Sequence, residues 1–137
     1  MAYLALDPVS AAIYSKLNVA GLTALAPGGI SAAFPQGTAL PAVWFEVSER
    51  DIRGLGTGGL PEINLRVHTF SAYKGLKEAH QINQKVIELL RDVALTVTGY
   101  DMCGHVFYDE TILLSDEELN GVKVHELVSR FRVYVEE

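Results

Sequence analysis

Apolar positions along the 137-residue chain alternate between two periods. Val9, Ala12, Ile13 and Leu17 recur at helical spacing behind Asp7 and Pro8. Asp7 is a good N-cap, and Pro8 sits where a missing N–H costs nothing, so a helix starts there. Asn18 and Gly21 end it, with a short turn through Leu22 to Leu25 before Pro27. The period then drops to two. Val43, Phe45 and Val47 alternate with Trp44, Glu46 and Ser48, predicting a strand over Ala42 to Arg50. Ile63, Leu65 and Val67 alternate with Asn64, Arg66 and His68, predicting a second strand over Glu62 to Phe70. Between them, Asp51 to Pro61 carries Gly54, Gly56, Gly58 and Gly59 and reads as a hairpin loop much longer than the usual two residues.

The helical period returns after Ser71. Leu76, Ala79, Ile82, Val86, Leu89, Leu90 and Val93 make one apolar stripe, with Lys77, Glu78, Gln81, Gln84, Lys85, Glu88 and Arg91 opposite. This predicts a helix from Lys74 to Val93. Two further strands are expected, over Cys103 to Leu114 and Val122 to Val135, joined by a turn containing Asp116, Glu117, Glu118, Asn120 and Gly121. In the last strand Leu127, Phe131, Val133 and Val135 share a row, but Val122 and Val124 are out of phase with it. A bulge near His125-Glu126 would restore the phase. The order α-β-β-α-β-β predicts an α+β fold. Its sheet would be mainly antiparallel, with four or slightly more strands and helices packed on one face.

Length fits a single domain over residues 1–137, which at this size buries roughly two-thirds of its unfolded surface. Apolar residues are 49% and charged residues 20%, a globular balance. The net charge of −6 argues against an open nucleic-acid-binding face. One cysteine, Cys103, precludes an internal disulfide and suits a reducing compartment. The N-terminal MAYLALDPVS has no basic n-region and does not read as a signal peptide. Residues 17 to 45 contain no charged side chain, yet Pro27, Gly28, Gly29, Pro35, Gly37 and Pro41 interrupt them, so no membrane-spanning helix is expected. This segment either wraps its own core or is covered by another subunit.

Patterns that carry chemistry are weak. The GLGTGG run at Gly54 to Gly59 is followed by a strand and lacks the Lys-Ser/Thr of a phosphate loop. His68, His80, His105 and His125 show no metal-ligand spacing, so no metal or cofactor is expected. Cys103 and His105 would share a strand face, but no third group orients them as a nucleophile pair. No catalytic residue is assigned, and the reading is of a protein that is not an enzyme. Charge is distributed unevenly: residues 1 to 99 hold eight acidic and eight basic side chains, residues 100 to 137 nine and three. An acidic C-terminal region serves solubility, or faces a partner, or lines a passage that must not hold DNA. Trp44 lies in an outward row beside Arg66, His68 and Phe70, as a core residue or an interface anchor.

Several stretches resemble the tail-completion and tail-terminator proteins of long-tailed bacteriophages and prophages. They are the early helix ending in Lys16-Leu17, the loop and strand AFPQGTALPAVWFEVSERD, the passage LRVHTFSAYKGLKEAHQINQKVIELLRD and the final HELVSRFRVYVEE. Ser71, Gly75, Ala79 and Leu90 fall at positions that recur in such proteins. The resemblance covers nearly the whole chain and is one of overall pattern, with no catalytic signature.

It implies a homo-oligomeric ring, usually of six subunits, at the tail–neck junction of the virion, assembled in the host cytoplasm. Such a ring caps the tail tube, ends its polymerisation and offers a surface for joining the head. The implied partners are the tail-tube protein and a head–tail connector or stopper, with DNA passing through unbound and no membrane involved. On that reading Arg50, Asp51, Arg53 and Leu55 contact the tube or head. Trp44, Phe34, Arg130 and Arg132 sit between subunits. Asp109, Glu110, Asp116, Glu117 and Glu118 face the bore, where they repel the DNA backbone. Two alternatives stay open: another neck component such as a head-closure protein, and a small ligand-binding α+β domain, which needs an apolar pocket with convergent polar groups.

Overall fold

The computed structural model describes residues 6–32, 40–51, 61–72, 76–102, 105–119 and 122–136, with backbone alone for 51, 61, 102, 114–119, 122–123 and 136. Helix α1 spans Leu6–Leu17 and α2 spans Ala20–Thr23. Strand β1 is Ile30–Ser31, β2 Ala42–Asp51 and β3 Pro61–Ser71. Helix α3 is Lys77–Leu90. Strand β4 is Asp101–Met102, β5 Phe107–Leu119 and β6 Val122–Glu136. The expected α-β-β-α-β-β order is therefore present, with α2, β1 and β4 as short additions.

The sheet runs β1-β2-β3-β6, with β5 and β4 both paired to β6. All pairings are antiparallel except β1 on β2. Registers fix which residues share a face. Phe45, Val67 and Ser129 stand in one row, and Val47, Leu65 and Phe131 in the next. This face carries the helices: α1 packs on β2, and α3 packs on β3 and β6. The apolar stripe of α1 supplies Val9, Ile13 and Leu17, and that of α3 supplies Ile82, Val86 and Leu90. They meet Phe45, Ile63, Leu65, Val67, Phe131 and Val133 in one core. Full burial of each large side chain contributes roughly 2–3 kcal/mol.

Inside this core lies a polar relay. Ser129 Oγ donates to Asn83 Oδ1. Asn83 Nδ2 donates to Thr111 Oγ1 at 3.3 Å, and Thr111 Oγ1 also lies 2.7 Å from Ser129 Oγ and 2.6 Å from Tyr108 Oη. The relay ties α3 to β5 and β6 where an apolar stripe alone would leave register free.

Two expectations need correction. The last strand is not broken near His125-Glu126: β6 pairs with β3 in unbroken register from His125 to Tyr134. The phase change is real because Val124 and Val128 point to the opposite face, where both are nonetheless buried. The irregularities fall instead in β5, between Tyr108 and Glu110 and between Leu113 and Ser115. Finally, the backbone of Asp116 to Glu118 is strand, paired with His125 to Lys123, so the acidic run belongs to β5 and not to the turn.

Helix α3 ends three residues earlier than its pattern suggests. Arg91 donates its N–H to Ile87 O, and Asp92 turns the chain with φ 58° before its own N–H reaches Val106 O at 3.0 Å. A side chain in this left-handed region is strained, and glycine relieves it. Asp92→Gly is therefore expected to stabilise the fold by about 0.5 kcal/mol in urea unfolding.

Register also places the two long hairpins at opposite ends of the sheet. The β2–β3 hairpin closes beyond Asp51 and Pro61, near Tyr134 of β6. The β5–β6 hairpin closes beyond Leu119 and Val122. Because β3 pairs with β6 no further than His125, residues 122–124 of β6 pair with β5 alone, and the hairpin projects past the sheet.

Candidate functional site

The sheet face opposite the helices holds the charged and aromatic residues that the sequence singles out. Cross-strand register sets them in rows: Glu46, Arg66, Arg130 and Glu110 in one, Trp44, His68, Val128 and Ile112 in the next. In the first row Arg66 Nη1 meets Glu46 Oε1 at 3.1 Å, and Arg130 Nη1 meets Glu110 Oε1 at 3.2 Å. One row on, Arg132 Nε donates to both oxygens of Asp109 at 2.9 and 3.0 Å, and Arg132 Nη1 donates to Tyr134 Oη. The hydrogen bond donated to Asp109 raises the Arg132 pKa above its ordinary value; burial opposes it, and the charge of that carboxylate and the contact with Tyr134 add to the rise.

Asp109 and Glu110 are adjacent in sequence, so a regular strand would put them on opposite faces. The irregularity between Tyr108 and Glu110 makes Asp109 the extra residue, and both carboxylates reach arginines of the open face. At the far end of β2, Arg50 Nη2 meets Glu62 Oε2 at 3.2 Å, with the carboxylate almost fully buried. Arg50 thus lies at the mouth of the long hairpin loop, while Asp51 is described by backbone alone. Arg53 and Leu55 lie outside the described residues, as do Phe34, Gly54 to Gly59 and Cys103. His105 is exposed.

The second row is an aromatic stack. The rings of Trp44 and His68 lie 4.1 Å apart and nearly parallel, and Phe70 follows at 6.4 Å from His68. His68 is only 7% exposed. Its Nδ1 is 2.6 Å from Glu126 Oε2 and its Nε2 3.5 Å from Glu46 Oε1. Ala42, Val124 and Val128 are also buried. His68→Ala removes the stacked ring and leaves Glu126 without this donor. The expected loss is about 2–3 kcal/mol in urea unfolding. Trp44 is the sole tryptophan, so its fluorescence reports the change locally.

The cavities do not gather acid–base groups. A groove of about 440 Å³ runs between α1 and residues 94–98, lined by small side chains with Lys16 as its one charge. A smaller one of about 200 Å³ on the open face is bounded by Ser48, Asn64, Arg66, Asp109 and Arg130. Among the described residues, no group of three or more His, Cys, Asp or Glu side chains is placed to hold a metal, and no helix is long and apolar enough to cross a membrane.

The open face brings together Trp44, Arg130 and Arg132, expected between subunits, and Asp109 and Glu110, expected at a bore. Sequence reasoning missed Glu126 and Glu46 as the partners of His68. The only sequence signal was their place in alternating strands.

A sheet with one helix-covered face, one face of matched charges and two long hairpins at opposite ends offers surfaces for contact more than a cleft for chemistry. That is the organisation of an assembly protein. Residues 11–136 match the family described as Tail completion protein gp17, and the chain belongs to that family. It is therefore a structural protein of phage tail assembly.

Solved structures agree at the level of fold. A chain in the virion of a native gene transfer agent particle superposes with a TM-score of 0.76 at 18% identity, covering 99% of this chain and 100% of that one. The gp17 protein of bacteriophage SPP1 superposes with a TM-score of 0.54 at 16% identity, covering 94% and 87%. No curated protein sequence matches significantly.

Proposed function

We propose that the chain caps the tail tube as a homo-oligomeric ring, six subunits round, at the tail–neck junction. It stops tube polymerisation and presents the head-joining surface. The observation that carries this reading is the family match across nearly the whole chain. The placement of the two hairpins at opposite ends supports it, because a ring between tube and head needs two distinct axial contacts. Arg50, Asp51, Arg53 and Leu55 then serve one of them. The 137 residues act as one domain, a reading supported by the single core that gathers side chains from α1 to β6.

In this proposal the open face lines the bore. Arg66, Arg130 and Arg132 are each held by a carboxylate, so none is offered to a phosphate, and DNA slides past without specific binding. Asp116, Glu117 and Glu118 on the projecting hairpin add negative charge to that passage. Trp44, Arg130 and Arg132, the residues expected between subunits, share this face with Asp109 and Glu110.

Native mass spectrometry across a concentration series, alone and with the cognate tube protein, tests the reading. A discrete six-fold species is expected in at least one condition, and tubes polymerised with the chain present are expected to stop growing. A strict monomer or dimer in both conditions would sink the ring and favour the ligand-binding alternative, with the groove beside α1 as its site.

A further inference from the structure

The sheet ends in two free edges. Strand β5 pairs with β6 alone, and β1 lies against β2 at Val43 and Trp44 alone. Among the described residues no strand lies against the outer side of β5, or against that of β2 past Trp44. Backbone direction alternates along a strand, and Val43 sends its N–H outward to Gly29 O at 3.1 Å. Val47, on the same face, therefore directs its N–H and C=O out of this edge. Alternation carried through β3 and β6 makes Thr111 and Leu113 do the same at the β5 edge.

Side chains and lengths agree with two edges meant for pairing. Ile112 and Leu113 stand on opposite faces of β5, yet are 37 and 47% exposed. A partner lying on either face would cover one of them, whereas a strand added at the edge flanks both. Strand β5 keeps regular register from Glu110 to Leu113, between its two irregularities. Strand β2 is clear of β1 over a similar stretch, Val47 to Arg50. Strand direction decides the occupant. Taken across the sheet, β2 runs up, β3 down, β6 up and β5 down. Copies related by rotation about a ring axis therefore bring β5 to β2 antiparallel at every junction, and such unlike edges close head to tail.

We propose that β5 of one copy adds to the β2 edge of the next, making one continuous sheet around the ring with the open face inward. This inference rests on the ring reading and specifies its interface. Closed-sheet geometry sets the register. A stagger of about one residue per strand tilts the strands by about 36°. Across β2, β3, β6 and β5 the neighbour is then displaced by about four residues. Seen from the helices with β2 pointing up, Val43 faces the viewer and its N–H points right, so the neighbour joins on the right. The right-handed coiling of twisted strands raises it. Its Ile112, level with its own Trp44, comes to lie beside Ser48, and its Leu113 beside Val47. An unraised neighbour would set Glu110 against Glu46, while the raised one sets it against Arg50, whose side chain is 69% exposed. The irregularity after Leu113 falls where β1 begins to occupy β2.

The test uses full-length chains carrying Cys103→Ser, with Ser48→Cys in one and Ile112→Cys in the other. They are oxidised under the conditions where native mass spectrometry finds the six-fold species. Opposed Cβ atoms of such a pair lie close enough for a disulfide. A disulfide dimer is expected in the mixture and in neither chain alone, and a chain with both substitutions is expected to give a ladder ending at the ring number. Glu46→Cys in place of Ser48→Cys, two residues out of register, is expected to give none. In the unsubstituted chain, hydrogen exchange at the amides of Val47 and Leu113 is expected to slow when the ring forms, a readout that needs no variant to fold. If rings form yet these amides exchange as fast as in the dissociated chain, or Ile112→Cys couples to itself, this interface is wrong and the ring stands. A disulfide from Glu46→Cys and not from Ser48→Cys, or from neither, overturns the register. If no oligomer forms in any condition, the ring reading fails and the interface fails with it.

Discussion

Phe131→Ala is expected to destabilise the protein by about 3–5 kcal/mol. Phe131 is 1% exposed and sits at the centre of β6, flanked by Leu65 on β3 and by Tyr108 on β5 with ring centroids 5.4 Å apart. Truncation loses the transfer free energy of the ring and leaves a cavity. Paired strands on both sides hold the backbone in place, so the site collapses poorly. Against a typical domain stability of about 5–15 kcal/mol, the variant is expected to lose a third or more of its margin. Urea unfolding followed by circular dichroism measures it. A loss under about 1 kcal/mol would mean that β5 and β6 are not packed as described.

The same residue shows what was legible in the sequence. Phe131 belongs to a row repeating every two residues, and β2, β3 and β6 were readable because their apolar rows are long enough to fix the period. Val124 and Val128 broke the rule that one face is apolar. They are buried on the other face, and a pattern that assumes one buried face reads such residues as a slip in phase. Strand β5 was placed too early, from Cys103 to Leu114, because its sequence after Leu114 is acidic. Its backbone pairing with β6 holds it in strand to Leu119, overriding a composition that reads as a turn.

The candidate site was legible in kind and not in geometry. Trp44, Arg66, His68 and Phe70 stood out together because the period of two puts them on one face. Glu126 lies 58 residues from His68 and meets it through the β3–β6 register. Nothing local sets that register: the β2–β3 loop is too long for turn type to fix it, and β6 reaches β3 only after α3 and β5. The pairing of Asp109 with Arg132 and Glu110 with Arg130 depends on a bulge whose position has no residue signature here, since Asp109 is neither glycine nor in a glycine-containing turn. One irregular residue puts both carboxylates on one surface.

That surface leads to the second large effect. Asp109→Ala with Glu110→Ala is expected to convert a DNA-indifferent face into one that binds duplex DNA. Both substitutions are exposed and remove only surface ion pairs, each worth at most about 1 kcal/mol to folding. Stability should therefore barely change, while Arg130 and Arg132 lose their carboxylates and become available to phosphates. Two new phosphate contacts per chain steepen the dependence of log affinity on log salt by about 2. Fluorescence anisotropy with a labelled duplex across a salt series reads this directly, and in a ring the added arginines act together from every subunit. Phage carrying the variant are expected to assemble tails and to eject DNA slowly. An unchanged affinity would show that the arginines are not held in reserve by Asp109 and Glu110. Tighter binding without an ejection defect would move the open face away from the bore, onto the outer surface of the ring.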